Sequence, residues 1–281
     1  MSMDQLIGCD FSSSPTRRKP IVIAWGSVFK SRVLLGSMER LESLHAFEDW
    51  LKIDRPWIGG FDLPFGLPRE LVETLGWPLT WEALISHYAS LGRSEIRAKF
   101  VEFCNSRPVG GKFAHRSCDL SAGSSPSMKW VNPPVAYMLH AGVPRLIAAG
   151  VHLPGLNDDQ LINRQLVAGH SRVALEAYPG LLAREVLGHR SYKSDDKAKQ
   201  TPERLIARKD LITAMELGHT RLGVRLKLTH AQRDALAADA SGDSLDAVLC
   251  LLQTAWAALQ GAPRYGLPAG TDPLEGWIVT G

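Results

Sequence analysis

Leu6-Ile7-Gly8-Cys9-Asp10-Phe11 reads as a buried strand interrupted by one acid. The same intrusion recurs at Ile58-Gly59-Gly60-Phe61-Asp62 and at Val173-Ala174-Leu175-Glu176. A carboxylate is rarely buried without a partner, so each acid needs one. A fourth acidic element, Asp243-Ser-Leu-Asp246, opens the apolar run Ala247–Ala257, and residues three apart on a helix share a face. Four such elements, far apart in sequence, predict one shared cation site.

Working outward, Ile7–Phe11, Ile21–Val28 and Arg32–Met38 are short β-prone runs parted by the turns Ser12–Pro15 and Phe29–Ser31, as in two consecutive hairpins. Ser43 caps an expected helix through Leu51, and Trp57–Asp62 returns as a fourth strand. A right-handed crossover sets that strand parallel to the first, with Asp10 and Asp62 both at carboxyl ends, where open sheets carry their chemistry. Residues 67–167 read as a largely helical, locally basic insertion, with helices near 68–75, 80–104 and 134–149. Between Arg93 and Arg145 it holds eight basic residues against three acidic. The core is expected in 1–66 and 168–281 of one domain. Val173–Tyr178 resumes the sheet, Leu181–Leu187 backs it, Thr201-Pro202 starts a helix, and Thr229-His-Ala-Gln232 is a capping box opening Ala231–Ala240. Glu275–Val279 reads as a last edge strand. The expected class is α/β, a mixed sheet flanked by helices.

The 281 residues, 45% hydrophobic, suffice for a full core, and a net charge of +3 is too small to mark a general nucleic-acid binder. Cys9, Cys104, Cys118 and Cys250 lack CxxC spacing, and no apolar stretch reaches about 18 residues, so a soluble cytoplasmic protein with reduced thiols and no membrane partner is expected. The histidines lack zinc spacing and no GxxxxGK[ST] loop exists.

Crowded carboxylates ionise together only around a cation, and Mg²⁺ or Mn²⁺ prefers such oxygen ligands. Asp10, Asp62, Asp243 and Asp246 are the candidate ligands; Asp10, Asp62, Glu176 and Asp246 are the candidate catalytic set. There are bland alternatives: Asp243 as a helix cap, and Asp10, Asp62 and Glu176 as turn-forming acids. Arg107, Lys112 and Arg116, around Gly110-Gly111, are candidate phosphate contacts or a solvated loop. Lys193-Ser-Asp-Asp-Lys197 mixes signs and reads as surface. Trp130 reads as a stacking platform or a buried anchor.

Gly8-Cys-Asp-Phe-Ser-Ser, Gly60-Phe-Asp-Leu-Pro-Phe-Gly66, Leu175-Glu-Ala-Tyr-Pro179 and Asp243–Ala247 together resemble the DUF429 family of ribonuclease H-like proteins, and the closing D-x-x-D-A helix is similar to that of resolvase-type nucleases. The resemblance spans most of the chain. It implies a ribonuclease H-like fold, two-metal hydrolysis of phosphodiester bonds, a nucleic-acid partner, DNA or RNA, and metal-site roles for Asp10, Asp62, Glu176 and Asp246, with Asp243 as a second helix acid. One departure is Asp62, where resolvase-type enzymes commonly carry the longer glutamate. An actin-like phosphoryl-transfer relative and a catalytically silent nucleic-acid-binding module are the alternatives.

Overall fold

The computed structural model describes residues 5–157 and 172–281. Six strands form one mixed sheet in the order β5-β4-β1-β2-β3-β6. These are β1 (Leu6–Asp10), β2 (Ile21–Phe29), β3 (Arg32–Leu41), β4 (Trp57–Phe61), β5 (Arg172–Glu176) and β6 (Arg225–Lys227). β1 runs parallel to β4, and β4 to β5, while β2 pairs antiparallel with both β1 and β3. The central strand β1 is buried at every position, hence its apolar run Leu6–Cys9 ahead of Asp10. β3 alternates, with Val33 and Leu35 inward, because helices do not cover its outer face equally.

One sheet face carries α1 (Leu44–Lys52) and four described insertion helices, α2 (Arg69–Thr74), α3 (Trp81–Ser90), α4 (Arg93–Asn105) and α6 (Val135–Ala148), while α5 (Ser117–Ala122) packs through Cys118 and Ala122 against Leu181 and Ile278. Phe47 and Trp50 of α1 share one apolar cluster with Phe61, Trp77, Tyr88 and Phe100, so most of the insertion packs into the same core as the sheet. The other face carries α7 (Pro179–Leu187), α8 (Pro202–Leu217), α9 (His230–Ala238) and α10 (Asp243–Gln260), over Leu6, Val22 and Ala24. Residues 158–167 of the expected insertion lie outside the described residues.

α10 lies unusually close to the sheet. A Cβ at Gly8 would sit 2.0 Å from the Ala247 carbonyl oxygen and 2.2 Å from the Leu251 nitrogen, and one at Gly60 would sit 2.5 Å from Thr254 Oγ1. Only a strand position without a side chain permits that approach. Thr254 Oγ1 in turn donates to the Ile7 carbonyl at 2.8 Å, tying helix to β1.

Four sequence expectations are corrected. The run 80–104 is two helices, broken at Leu91-Gly92, where Glu95 accepts the Gly92 amide at 2.6 Å and starts the second. Glu275–Val279 makes only an isolated parallel bridge from Ile278 to Glu176, since Gly276 (φ 69°) and Thr280 (φ 73°) turn the chain on either side. β6 and α5, too short and polar for periodicity to reveal, were not expected. β5 ends at Glu176 rather than Tyr178, because Pro179 begins α7.

Candidate active site

The parallel half of the sheet delivers its acids to one end. Asp10 closes β1, Asp62 follows β4 with its amide bonded to the Cys9 carbonyl at 2.9 Å, and α10 begins above them with Asp243 and Asp246. Asp10 is 9% exposed, Asp243 1% and Asp246 0%. Burial, then the nearby Asp246 carboxylate, pushes the Asp10 carboxyl well above the usual carboxylate range. The same two causes push Asp62 up to about 7.

Two lysines answer the charge. Lys193 donates to Asp246 Oδ2 while the Tyr192 hydroxyl donates to Oδ1. Lys19 donates to Asp243 Oδ1 at 2.5 Å and to Asp195 at 3.1 Å, linking the loop after β1 to the loop after α7. Burial lowers both ammonium groups, and the acids more than reverse it, so both are held above their ordinary value. Four carboxylates thus meet two ammonium groups, and Asp243 Oδ2, fully buried, has no hydrogen-bond partner among the described residues.

Glu176 lies beside this cluster yet belongs to another. The Arg116 guanidinium grips it with Nη2 to Oε1 at 2.6 Å and Nη1 to Oε2 at 2.8 Å, and the Phe65 amide donates to Oε2 at 2.9 Å. Arg116 also binds Asp119 through Nη2 at 2.8 Å and the Glu275 carbonyl through Nη1 at 2.9 Å. Burial pushes Glu176 up against the pull of Arg116, whereas at Asp119 the pull of Arg116 overcomes burial and holds the carboxyl low.

This corrects one substrate contact outright: Arg116 is 2% exposed and spends its donors internally, out of reach of a phosphate. Arg107 is tied to Glu70 and to the Gly111 carbonyl at 2.7 Å and lies against the Phe103 ring. Lys112 stands exposed. Trp130 is half-buried against Phe113, rings 5.5 Å apart, which is the anchoring role. Lys193, read as surface, instead reaches a buried acid. The overlooked signal was arithmetical: an acid cluster that folds before any ion arrives needs internal cations, and Arg17, Arg18 and Lys19 lie seven to nine residues after the first acid.

Among the described residues, no three His, Cys, Asp or Glu side chains already stand as ligands of one ion. Both oxygens of Asp246 are engaged by Tyr192 and Lys193. The donor set nonetheless fits a hard divalent cation: all-carboxylate oxygen, in excess over the internal cations, with one orphaned oxygen at Asp243. Lys193, partly exposed on a loop, can yield its place.

A cleft of about 250 Å³ opens beside the acids, with Asp62 on its wall and Tyr178, Arg184, Arg190, Tyr192 and Lys193 around it. No family model matches this chain, and no curated protein or solved structure matches it. No helix among the described residues is long and apolar enough to cross a membrane.

Proposed function

We propose that the protein is a ribonuclease H-like, Mg²⁺- or Mn²⁺-dependent nuclease related to the DUF429 family, hydrolysing phosphodiester bonds of nucleic acid. The observation that carries the reading is the meeting of Asp10, Asp62 and Asp246 at one sheet end, with more buried carboxylate than internal cation and with Asp10 and Asp62 held above their ordinary range. A mixed sheet with β1 parallel to β4 and the acids at carboxyl ends supports the same family. All four cysteines are free and buried, in keeping with a reducing, cytoplasmic setting.

Asp10, Asp62, Asp243 and Asp246 would hold the ions, and bound ions would supply Lewis acidity for the attacking and leaving oxygens of a phosphodiester. Asp62 is the acid that lines the cleft, on the side from which a substrate would reach the ions. Lys193 neutralises Asp246 before substrate arrives, and Tyr192 holds that carboxylate's orientation. Glu176 acts by positioning: clamped by Arg116, it fixes the end of β5 beside Asp62.

The test couples binding to hydrolysis. At about 100 times its Kd, Mn²⁺ should stabilise the wild type by roughly 2.7 kcal/mol, and Asp10→Asn should lose most of that shift while melting no earlier than wild type without metal. Labelled single-stranded and duplex DNA and RNA with Mg²⁺ or Mn²⁺ should be cut by wild type alone. Equal Mn²⁺ shifts in both proteins, with the variant melting earlier in chelator, would reduce Asp10 to a turn-forming acid and remove the reading.

A further inference from the structure

The cleft beside the acids has a charge the nuclease reading does not by itself require. Around it stand Arg184, Arg190 and Lys193, and among the described residues Asp62 is the single carboxylate on its wall. Lys193 is balanced by Asp246, and Arg190 by Asp210 at 2.7 Å. Arg184 has no carboxylate partner among the described residues. Neutral groups hold it instead: the Tyr178 hydroxyl at 2.9 Å and the Ala122 carbonyl, with the guanidinium 5.2 Å from the Tyr178 ring centroid. Guanidinium carries five N–H donors in a rigid fork, and these contacts use part of the fork while fixing its plane. An arginine immobilised without a counter-charge is prepared for an anion from outside.

The start of α7 forms another part of the wall. Tyr178, its N-cap, gives no side-chain cap, and Gly180 leaves room for the Tyr178 ring, which a Cβ would meet at 2.7 Å. The positive end of the helix therefore adds to the field of Arg184 and Arg190. At about 250 Å³ the cleft falls just below the roughly 300–1,000 Å³ of pockets for drug-sized ligands. The cleft is thus on the scale of a small group such as a phosphate with its sugar, and well short of a base pair.

We infer that this cleft is a phosphate subsite, receiving the phosphate of one unpaired nucleotide next to the acidic cluster, with Arg184 and Arg190 as its anion ligands. As a choice of substrate, single strand or frayed end over intact duplex, it rests on the nuclease reading; as a binding site it stands without it. A free mononucleotide and a nucleotide within a strand carry the same phosphate chemistry, and the measurement separates them.

Calorimetric titration of the full chain in chelator and low salt would use a 5′-mononucleotide, a 5′-phosphorylated single-stranded trinucleotide and a blunt duplex. Saturable binding of the first two is expected, with Arg184→Gln and Arg190→Gln each weakening it about tenfold, as loss of a charged hydrogen bond does. A tighter trinucleotide assigns the site to strands; equal affinities assign it to free nucleotides. Arg190 is half exposed, so Arg190→Gln leaves the fold intact and unchanged affinity in that variant overturns the subsite. Duplex binding as tight as single strand overturns the preference for unpaired nucleotides. Adding Mn²⁺ separates the two readings: cleavage that neither arginine variant slows at sub-saturating substrate retires the cleft and keeps the nuclease. Arginine-dependent binding with no cleavage of any substrate keeps the cleft and retires the nuclease.

Discussion

Two buried ionic groups sit side by side at the carboxyl ends of β4 and β5, and they are built on opposite terms. Around Arg116 the donors and acceptors close on themselves: both Glu176 oxygens, both Asp119 oxygens and the Glu275 carbonyl are met by one guanidinium. Around Asp10 they do not close. Four carboxylates share two ammonium groups, both borrowed from loops, and one oxygen of Asp243 is left over. A closed buried network serves the fold, since breaking it strands a charge; an open one stores repulsion that an external cation relieves. Sequence alone does not tell Glu176 from Asp62, both acids at strand ends, because the difference lies in which partner arrives from a distant loop.

The comparison breaks most visibly at Arg116. Arg116→Met should cost about 3–5 kcal/mol in urea unfolding, because Glu176 and Asp119 then remain buried without a counter-charge. Asp246→Asn, in chelator, should cost far less. Similar losses for both would mean that the two networks are alike.

Next in size is a pH effect that Asp62 brings to the open network. Asp62 keeps its proton up to about 7 when folded and loses it near 4 when unfolded, so between those values the folded state holds the extra proton. Stability from this group is therefore present at low pH and lost as pH rises from about 4 to 7, by up to ~1.4 kcal/mol per pH unit. Asp119, held low, is stabilising above about 4 and contributes no slope in that window. Asp62→Asn should gain on wild type as pH rises from 5 to 7 in chelator; parallel unfolding midpoints would contradict the assigned protonation.

Lys193 sharpens the comparison further. Removing the internal cation should make room for an external one, so Lys193→Met should bind Mn²⁺ about tenfold more tightly by calorimetry, a relief of ~1.4 kcal/mol. Weaker binding would make Lys193 a support of the ion site instead of its stand-in. The smallest effect belongs to the insertion. Lys112 is the exposed member of its predicted phosphate trio, and Lys112→Gln should flatten the salt dependence of single-strand binding by about one unit of slope. An unchanged slope would return the loop to solvent.

The sheet was legible because its signals are local. Apolar runs, turn residues between Phe29 and Arg32, and the crossover from Ser43 to Trp57 fix four strands and their senses. That Asp10 and Asp62 share one sheet end followed from strand direction, and Asp246 reaches them from the first turn of α10. What stayed hidden depended on long-range pairing. Arg116 lies 60 residues from Glu176, and Lys193 lies 53 from Asp246, so neither partnership leaves a periodic trace. The cleft arginines were missed for a related reason: Arg184 and Arg190 belong to an ordinary amphipathic helix and the turn after it, and only the packing of Tyr178 and Ala122 turns one of them into a fixed cation.

The contact between Gly8 and α10 has a metrical consequence. Gly8 is two residues before Asp10, and Ala247, whose carbonyl it faces, is one residue after Asp246. Main chain rests on main chain at that point, with no flexible side chain between them to absorb error. The span across which Asp10 and Asp246 face each other is therefore gauged by an absent methyl group, a spacer of zero thickness placed one or two residues from each acid it calibrates.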